Sequence, residues 1–119
     1  MMRSILLADQ SKIFRQTLGS LLGSKFTILS TDNGYDAVSL YVSHTPVCVL
    51  TELIFSKGNG IEIIERILAK DSDANIIVIT SVQNAIMWKK VLDLGVKLVI
   101  TKPISINNIQ QAFTTLNLE

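Results

Sequence analysis

The sequence predicts an α/β domain in which an open parallel sheet carries helices on both faces. Short apolar runs alternate with longer stretches of helical period five times along the 119 residues. Three of these runs are almost continuously apolar, as expected for strands buried on both faces. The length suits one hydrophobic core of ordinary depth. We therefore expect a single domain over residues 1–119, either complete or as the N-terminal part of a longer protein.

The five apolar runs are the predicted strands. They are Ser4 to Ala8, Phe26 to Leu29, Val47 to Thr51, Ile76 to Thr80 and Leu98 to Thr101. Right-handed crossovers through the intervening helices would place the strands side by side in one sheet. Their carboxyl ends would then meet at one edge, which is where open α/β sheets bind ligands.

Amphipathic stretches between the runs predict the helices. Their apolar faces are Phe14, Leu18, Leu21 and Leu22; Ile64, Ile67 and Leu68; Met87, Val91 and Leu94; and Ile109, Ala112, Phe113 and Leu116. Ser11 and Ser105 stand where N-caps are expected, because a serine oxygen accepts a hydrogen bond from an unpaired amide of the first turn. Gly34, Gly60 and Gly95 fall at the proposed junctions.

Composition excludes several classes of function. The 11 basic and 10 acidic residues are interspersed, so no basic stripe predicts nucleic-acid binding. The single cysteine, Cys48, lies in an apolar run, which predicts a core residue in a reducing compartment. The apolar start is too short for a signal peptide or a membrane span. His44 has no partner at metal-ligand spacing. We expect a cytoplasmic protein with no membrane contact.

Polar side chains stand at the carboxyl ends of four predicted strands. They are Asp9 and Gln10, Glu52, Thr80 and Ser81, and Lys102. Acidic groups, a hydroxyl and a lysine at one edge could bind a divalent cation and a phosphoryl group. The alternative is a surface ion-pair cluster of little energetic weight. We expect one pocket, because all of these residues occupy the same edge of the sheet.

Four short stretches together resemble a known family. They are Ile5 to Ser11, Glu52 with Gly60, Ile79 to Ser81, and Thr101 to Pro103. The chain resembles, over essentially its whole length, the receiver domains of response regulators in bacterial two-component systems, of which the chemotaxis regulator is the minimal member. The resemblance implies a flavodoxin-like three-layer sandwich with a five-stranded parallel sheet of order 2-1-3-4-5 and five helices. It also implies a cis peptide bond before Pro103.

The resemblance assigns a role to each pocket residue. It places Asp9 and Gln10 at the family's acidic pair and Glu52 at the phosphoacceptor aspartate. It makes Thr80 the switch hydroxyl and Lys102 the lysine that contacts phosphate. Two of the five positions therefore depart from the family's residue type, namely 10 and 52.

These departures predict a degenerate phosphorylation site. Gln10 removes one negative charge, so Asp9 and Glu52 would hold magnesium only weakly, and no other cofactor is expected. The extra methylene of Glu52 moves the nucleophilic oxygen outward by about 1.5 Å. A misplacement of about 1 Å can lower a rate roughly a hundredfold. Glu52 could instead reach Lys102 or Thr80 and imitate a phosphate, with less charge and fewer acceptor oxygens.

The predicted partner surface departs from the family as well. Val99 stands at the position of the family's aromatic switch residue, and valine has no ring to reorient. Trp88 lies one residue off the apolar face of the fourth helix. The family binds partners through its fourth helix, fifth strand and fifth helix, so Trp88 is a candidate interface residue.

Three functions follow from the sequence. The first is a protein-binding module without enzymatic phosphotransfer, which docks to a sensor kinase, an output domain or a second copy independently of phosphorylation. The second is a working receiver that is phosphorylated on Glu52 with weakly bound magnesium. The third is a flavodoxin-like small-molecule-binding protein, which no glycine-rich phosphate loop supports.

Overall fold

The computed structural model describes residues 2–118, in which five strands alternate with five helices. The strands are β1 (Ser4–Ala8), β2 (Thr27–Thr31), β3 (Cys48–Thr51), β4 (Ile76–Thr80) and β5 (Leu98–Thr101). The helices are α1 (Lys12–Leu22), α2 (Gly34–His44), α3 (Gly60–Lys70), α4 (Ala85–Leu94) and α5 (Ile106–Thr115). Within residues 2–118, no helix combines the length and the apolar character that crossing a membrane requires.

The strands form one parallel sheet in the order β2-β1-β3-β4-β5, which confirms the predicted fold class and strand order. Ala8 pairs with both Thr31 and Thr51, and Thr80 pairs with Thr101. These pairs are the last residues of their strands, so the five carboxyl ends form one edge.

Two apolar layers enclose the sheet, because alternate residues of a strand point to opposite faces. On one face Leu6, Val49 and Val78 pack with α2, α3 and α4 residues such as Ile64 and Val91. On the other face the residues Ile5, Leu7, Leu50, Ile77 and Ile79 pack with Leu18 of α1 and with Ile109 and Phe113 of α5. The result is a three-layer sandwich.

The second strand begins and ends later than predicted, at Thr27 and Thr31 instead of Phe26 and Leu29. Phe26 lies outside the strand because its amide is bound to the end of α1, and the strand continues to Thr31 because Ser30 and Thr31 still pair with Leu7 and Ala8. The Phe26 ring meets the ring of Phe113 edge to face at 5.5 Å, and the Phe26 amide donates to the Leu22 carbonyl at the end of α1. The third strand similarly begins at Cys48 instead of Val47.

The helix faces are confirmed except at two leucines. Leu21 is 46% exposed and Leu94 is 36% exposed, because both lie at the edge of an apolar stripe where the helix surface turns away from the sheet. Both serine N-caps are present, with Ser11 accepting from the amide of Phe14 and Ser105 from that of Asn108.

The three predicted junction glycines lie at helix ends. Gly34 begins α2, Gly60 begins α3, and Gly95 follows α4. Gly95 has a φ of 126°, which a residue with a Cβ adopts only with strain. At Gly60 an added Cβ would lie 2.3 Å from the carbonyl oxygen of Leu53, so only glycine fits there.

Candidate functional site

The carboxyl edge of the sheet brings four of the predicted residues together. Asp9 follows β1, Glu52 follows β3, Thr80 ends β4 and Lys102 follows β5. Asp9, Glu52 and Thr80 are buried, and Lys102 is half-buried. They meet because β1, β3, β4 and β5 are consecutive neighbours in the sheet.

Glu52 is held by three donors. Its Oε1 accepts hydrogen bonds from the Thr80 hydroxyl at 2.5 Å and from the Leu53 amide at 3.0 Å. Its Oε2 lies 3.2 Å from the Lys102 ammonium. The Thr51 hydroxyl donates to the Glu52 carbonyl at 2.9 Å, so the backbone is fixed as well. The carboxylate is therefore directed into the pocket.

Lys102 lies between the two buried carboxylates. Its Nζ is 2.7 Å from Asp9 Oδ2 and 3.2 Å from Glu52 Oε2. The same nitrogen stands 4.3 Å from the centre of the Phe14 ring, a cation–π geometry. Burial alone would lower the pKa of Lys102, but the hydrogen bonds and charges of Asp9 and then Glu52 raise it above its usual value. Lys102 is therefore a fixed cation within the pocket.

Asp9 is fixed from its backbone and its side chain. Its Oδ1 accepts from the Ser11 amide at 2.8 Å, and its Oδ2 accepts from Lys102. The guanidinium of Arg15 donates to the Asp9 carbonyl oxygen at 2.6 Å. The first turn of α1 thereby holds this carboxylate beside Lys102.

Gln10 is exposed and lines the open pocket with Asp9 and Glu52. Its amide oxygen accepts a hydrogen bond from the Ser56 amide at 2.6 Å, which links the loop after β1 to the loop after β3. This oxygen is therefore engaged in holding the loop. Ser81 also lines the pocket and is exposed.

The pocket does not fit the magnesium ion that the family resemblance implies. Magnesium takes near-octahedral oxygen ligands. Both oxygens of Asp9 and of Glu52 already accept from protein donors, with Lys102 bound to one oxygen of each. Within residues 2–118, no three His, Cys, Asp or Glu side chains are grouped so that they could hold a metal. The arrangement is an ion cluster in which one lysine is shared by two carboxylates.

The two residues of the predicted partner surface differ in their surroundings. Val99 is half-buried and packs against the core cluster beneath α2, α3 and α4, so it offers little surface to a partner. Trp88 is also half-buried, and its Nε1 donates to the Val82 carbonyl at 2.8 Å. The indole is thus attached to the loop between β4 and α4.

Sequence reasoning missed four pocket contributors. Phe14, predicted only as a core residue, places its ring over Lys102. Arg15, the Leu53 amide and the Ser56 amide each complete a hydrogen bond of the site. One feature of the sequence could have indicated Phe14 and Arg15: both lie in the first turn of α1, which begins three residues after Asp9.

Two residues to which no role was assigned have no pocket contact. Cys48 is buried in β3, and burial raises the pKa of its thiol to about 12. His44 is the last residue of α2. The cis peptide bond between Lys102 and Pro103 is present as expected.

The sequence matches known proteins along almost all of its length. A family model described as the response regulator receiver domain matches residues 5–114. Chemotaxis protein CheY of Halobacterium salinarum is 30% identical over 115 residues, which are 96% of each chain. The Regulator of RpoS of Escherichia coli is 30% identical over 104 residues, which cover 86% of this chain and 31% of that protein. The chain therefore spans about a third of the latter.

Solved structures of receiver domains have the same fold as this chain. The CheY-like receiver domain protein of Methanospirillum hungatei superposes with a TM-score of 0.92 at 13% identity, covering 98% of this chain and 94% of that one. A chain of the CheX-CheY-BeF3-Mg+2 complex of Borrelia burgdorferi has a TM-score of 0.90 at 25% identity, with 98% and 90% covered. The sheet order and the polar carboxyl edge define a CheY-like flavodoxin fold. The chain belongs to the response regulator receiver domain family of two-component signalling.

Proposed function

We propose that this receiver domain is a protein-binding module whose state is set by its own Glu52 and not by phosphorylation. One observation supports this proposal above all. The Glu52 carboxylate accepts from the Thr80 hydroxyl and pairs with the Lys102 ammonium. The family resemblance assigns these same two groups to the phosphoryl oxygens. A carboxylate in that position supplies part of the charge that phosphorylation would add.

The contacts of Glu52 also argue against nucleophilic attack. A nucleophile needs a free lone pair aligned with the phosphorus atom. Oε1 already accepts two hydrogen bonds, and Oε2 is bound to Lys102. The amide oxygen of Gln10 is bound to the Ser56 amide. Among the residues that line the pocket, Asp9 is the carboxylate that remains beside Glu52. We therefore propose that the domain does not catalyse its own phosphotransfer.

The proposed partner is a protein: a sensor kinase, an output domain or a second copy of this chain. Supporting this, one structural relative is a chain of a complex between CheX and CheY. The balanced charge of this domain, +1 overall, gives no preference for nucleic acid. The exposed side chains of α4, described below, supply apolar contact area for such a partner.

Intact mass after incubation with acetyl phosphate and magnesium tests the proposal. The natural chain is compared with the double variant Glu52→Asp, Gln10→Asp, which restores the family's residue types at both positions. We expect the double variant to gain one phosphoryl group and the natural chain to gain none. A label on the natural chain that disappears in Glu52→Ala would overturn the proposal.

The second candidate is a working receiver phosphorylated on Glu52. The retained Asp9, Thr80 and Lys102 favour it, since each lies at the pocket position that the family resemblance requires. A thermal unfolding series with increasing magnesium separates the two candidates, because a ligand that binds the folded state raises the melting temperature. We expect no rise for the natural chain and a rise for the double variant.

A further inference from the structure

A chain of hydrogen bonds leaves the pocket and ends on helix α4. The Thr80 hydroxyl donates to Glu52 Oε1 and accepts from the Val82 amide at 3.1 Å. The Val82 carbonyl accepts from Trp88 Nε1 at 2.8 Å. The path Glu52, Thr80, Val82, Trp88 therefore runs from a buried carboxylate to a half-buried indole without a break.

The loop between β4 and α4, residues 81–84, is fixed by this path at its centre. The amide and carbonyl of Val82 belong to the two peptide planes that flank its Cα, so Thr80 and Trp88 together fix both planes. At the far end the Asn84 side chain caps α4 by accepting from the amides of Ile86 and Met87. A displacement of the Thr80 hydroxyl must therefore move the Val82 peptide or break a bond.

Helix α4 exposes apolar side chains near the end of the path. Leu92, four residues after Trp88 and therefore on the same side of the helix, is 44% exposed, and Ile86, on another side of the first turn, is 84% exposed. The indole of Trp88 stays in its half-buried place while its N–H is bound to Val82. Released from that bond, the ring is free to adopt another rotamer and change the shape of this apolar surface.

We infer that Trp88 is the positioning residue through which the Glu52–Thr80 contact controls the binding surface of α4. This path provides the ring movement that Val99, an aliphatic residue packed on the core, does not. The inference concerns how the state of the pocket reaches α4. It holds whether that state is set by Glu52 itself or by phosphorylation, so a failed mass experiment would overturn the proposed function and leave this path standing.

The surroundings of Trp88 can be followed directly, because Trp88 is the one tryptophan of the sequence and gives a single indole N–H signal by NMR. The test variant is Thr80→Val, which removes the hydroxyl and keeps the side-chain shape. The matched control is Thr31→Val. Thr31 also ends a strand, is also buried, and its hydroxyl also accepts from the amide two residues on, that of Asn33.

We expect Thr80→Val to shift the indole signal and to speed its exchange with water about fivefold, the equivalent of one ordinary hydrogen bond. Tryptophan fluorescence should move to longer wavelength and be quenched more readily by acrylamide. Thr31→Val should leave all three readouts at their natural values. An unchanged indole in a folded Thr80→Val protein, or an equal change in both variants, would overturn the inference.

The reverse experiment remains informative if Thr80→Val does not fold. Trp88→Phe removes the indole N–H and keeps an aromatic ring at the position. Because coupling between two sites is reciprocal, this change at α4 should shift the backbone amide signals of Val82, Glu52 and Leu53. Shifts confined to the neighbours of Trp88 on α4 would show that no coupling reaches the pocket.

Discussion

The ion pairs of the pocket and those of the helix surface have similar lengths and very different surroundings. In the pocket, Lys102 lies 2.7 and 3.2 Å from carboxylates whose side chains are 5% and 8% exposed. On the helices, the pair of Glu62 with Arg66 and that of Lys89 with Asp93 measure 2.8 and 2.7 Å, at exposures of 54–77%. Distance alone therefore does not determine how much a pair contributes to the free energy of unfolding. Burial decides, because a charge that loses its partner in the interior has no water to replace it.

The largest expected effect is the loss of the shared cation. Lys102→Met leaves Asp9 and Glu52 as neighbouring buried carboxylates, which should lower the free energy of unfolding by about 3–5 kcal/mol. Urea unfolding followed by circular dichroism measures this. The control is Lys89→Met, the same substitution at an exposed pair, for which we expect a change within about 0.5 kcal/mol. Equal losses in the two variants would contradict the role of burial.

The second expected effect is that the stabilisation provided by the Lys102 cation is lost at high pH. The folded-state pKa of Lys102 is raised above the 10.5 of a free lysine, so the cation binds its proton more tightly in the folded protein. The stabilisation is therefore complete below about pH 10.5 and is lost as the pH rises through the raised pKa. The difference in unfolding free energy between the natural chain and Lys102→Met should be constant up to pH 10 and shrink above it. A constant difference at pH 11 would contradict this prediction.

A smaller effect is expected at the neutral bond between Gln10 and Ser56. Gln10→Ala removes the acceptor of the Ser56 amide, which lies at the surface and can turn to water. We expect a loss of about 0.5–1.5 kcal/mol. Hydrogen exchange should quicken at Ser56 and its loop while the amides of β1 and β3 keep their protection. Protection that persists at Ser56 would show that another group holds the loop.

The smallest effect is expected on α3. Glu62→Gln breaks an exposed pair of residues four apart on a helix, which contributes about 0.3–0.5 kcal/mol. The effect should fade in 1 M salt, where exposed charges are screened over about 3 Å. The loss in Lys102→Met, measured in the same buffers, should change little with salt. A salt-independent loss in Glu62→Gln would contradict this prediction and assign the pair a role beyond its charge.

The fold and the membership of the pocket could be predicted because both depend on local patterns. Apolar runs mark the strands, and a polar residue directly after a run marks the carboxyl edge, as at Asp9 and Glu52. The direction in which a pocket side chain points could not be predicted. Gln10 is adjacent to Asp9 in sequence, yet its oxygen is bound to Ser56, 46 residues away. Such a partner becomes known only when the loops are folded.

The apolar positions show the same limit. Phe14, Leu18 and Leu22 share one apolar stripe of α1. The stripe does not predict that Phe14, near the start of the helix, contacts Lys102. Trp88 stands one residue off its stripe, and the sequence left open whether it fills the core or meets a partner. Its bond to Val82 depends on the path of the loop before α4, which no periodicity encodes.

The caps of the helices bear on the charge of the pocket. Each helix follows a strand in the chain and so begins on the carboxyl side of the sheet, where Asp9 and Glu52 lie. The caps are the neutral side chains of Ser11, Asn33, Asn59, Asn84 and Ser105. A helix N-terminus carries a partial positive charge of about half a unit, which neutral caps do not cancel. In α2 and α3 the first turn carries Asp36 and Glu62, which offset part of this charge, whereas the first turns of α1, α4 and α5 carry no acidic residue. The starts of these three helices favour carboxylates at the carboxyl edge before any cation, metal or lysine, is counted.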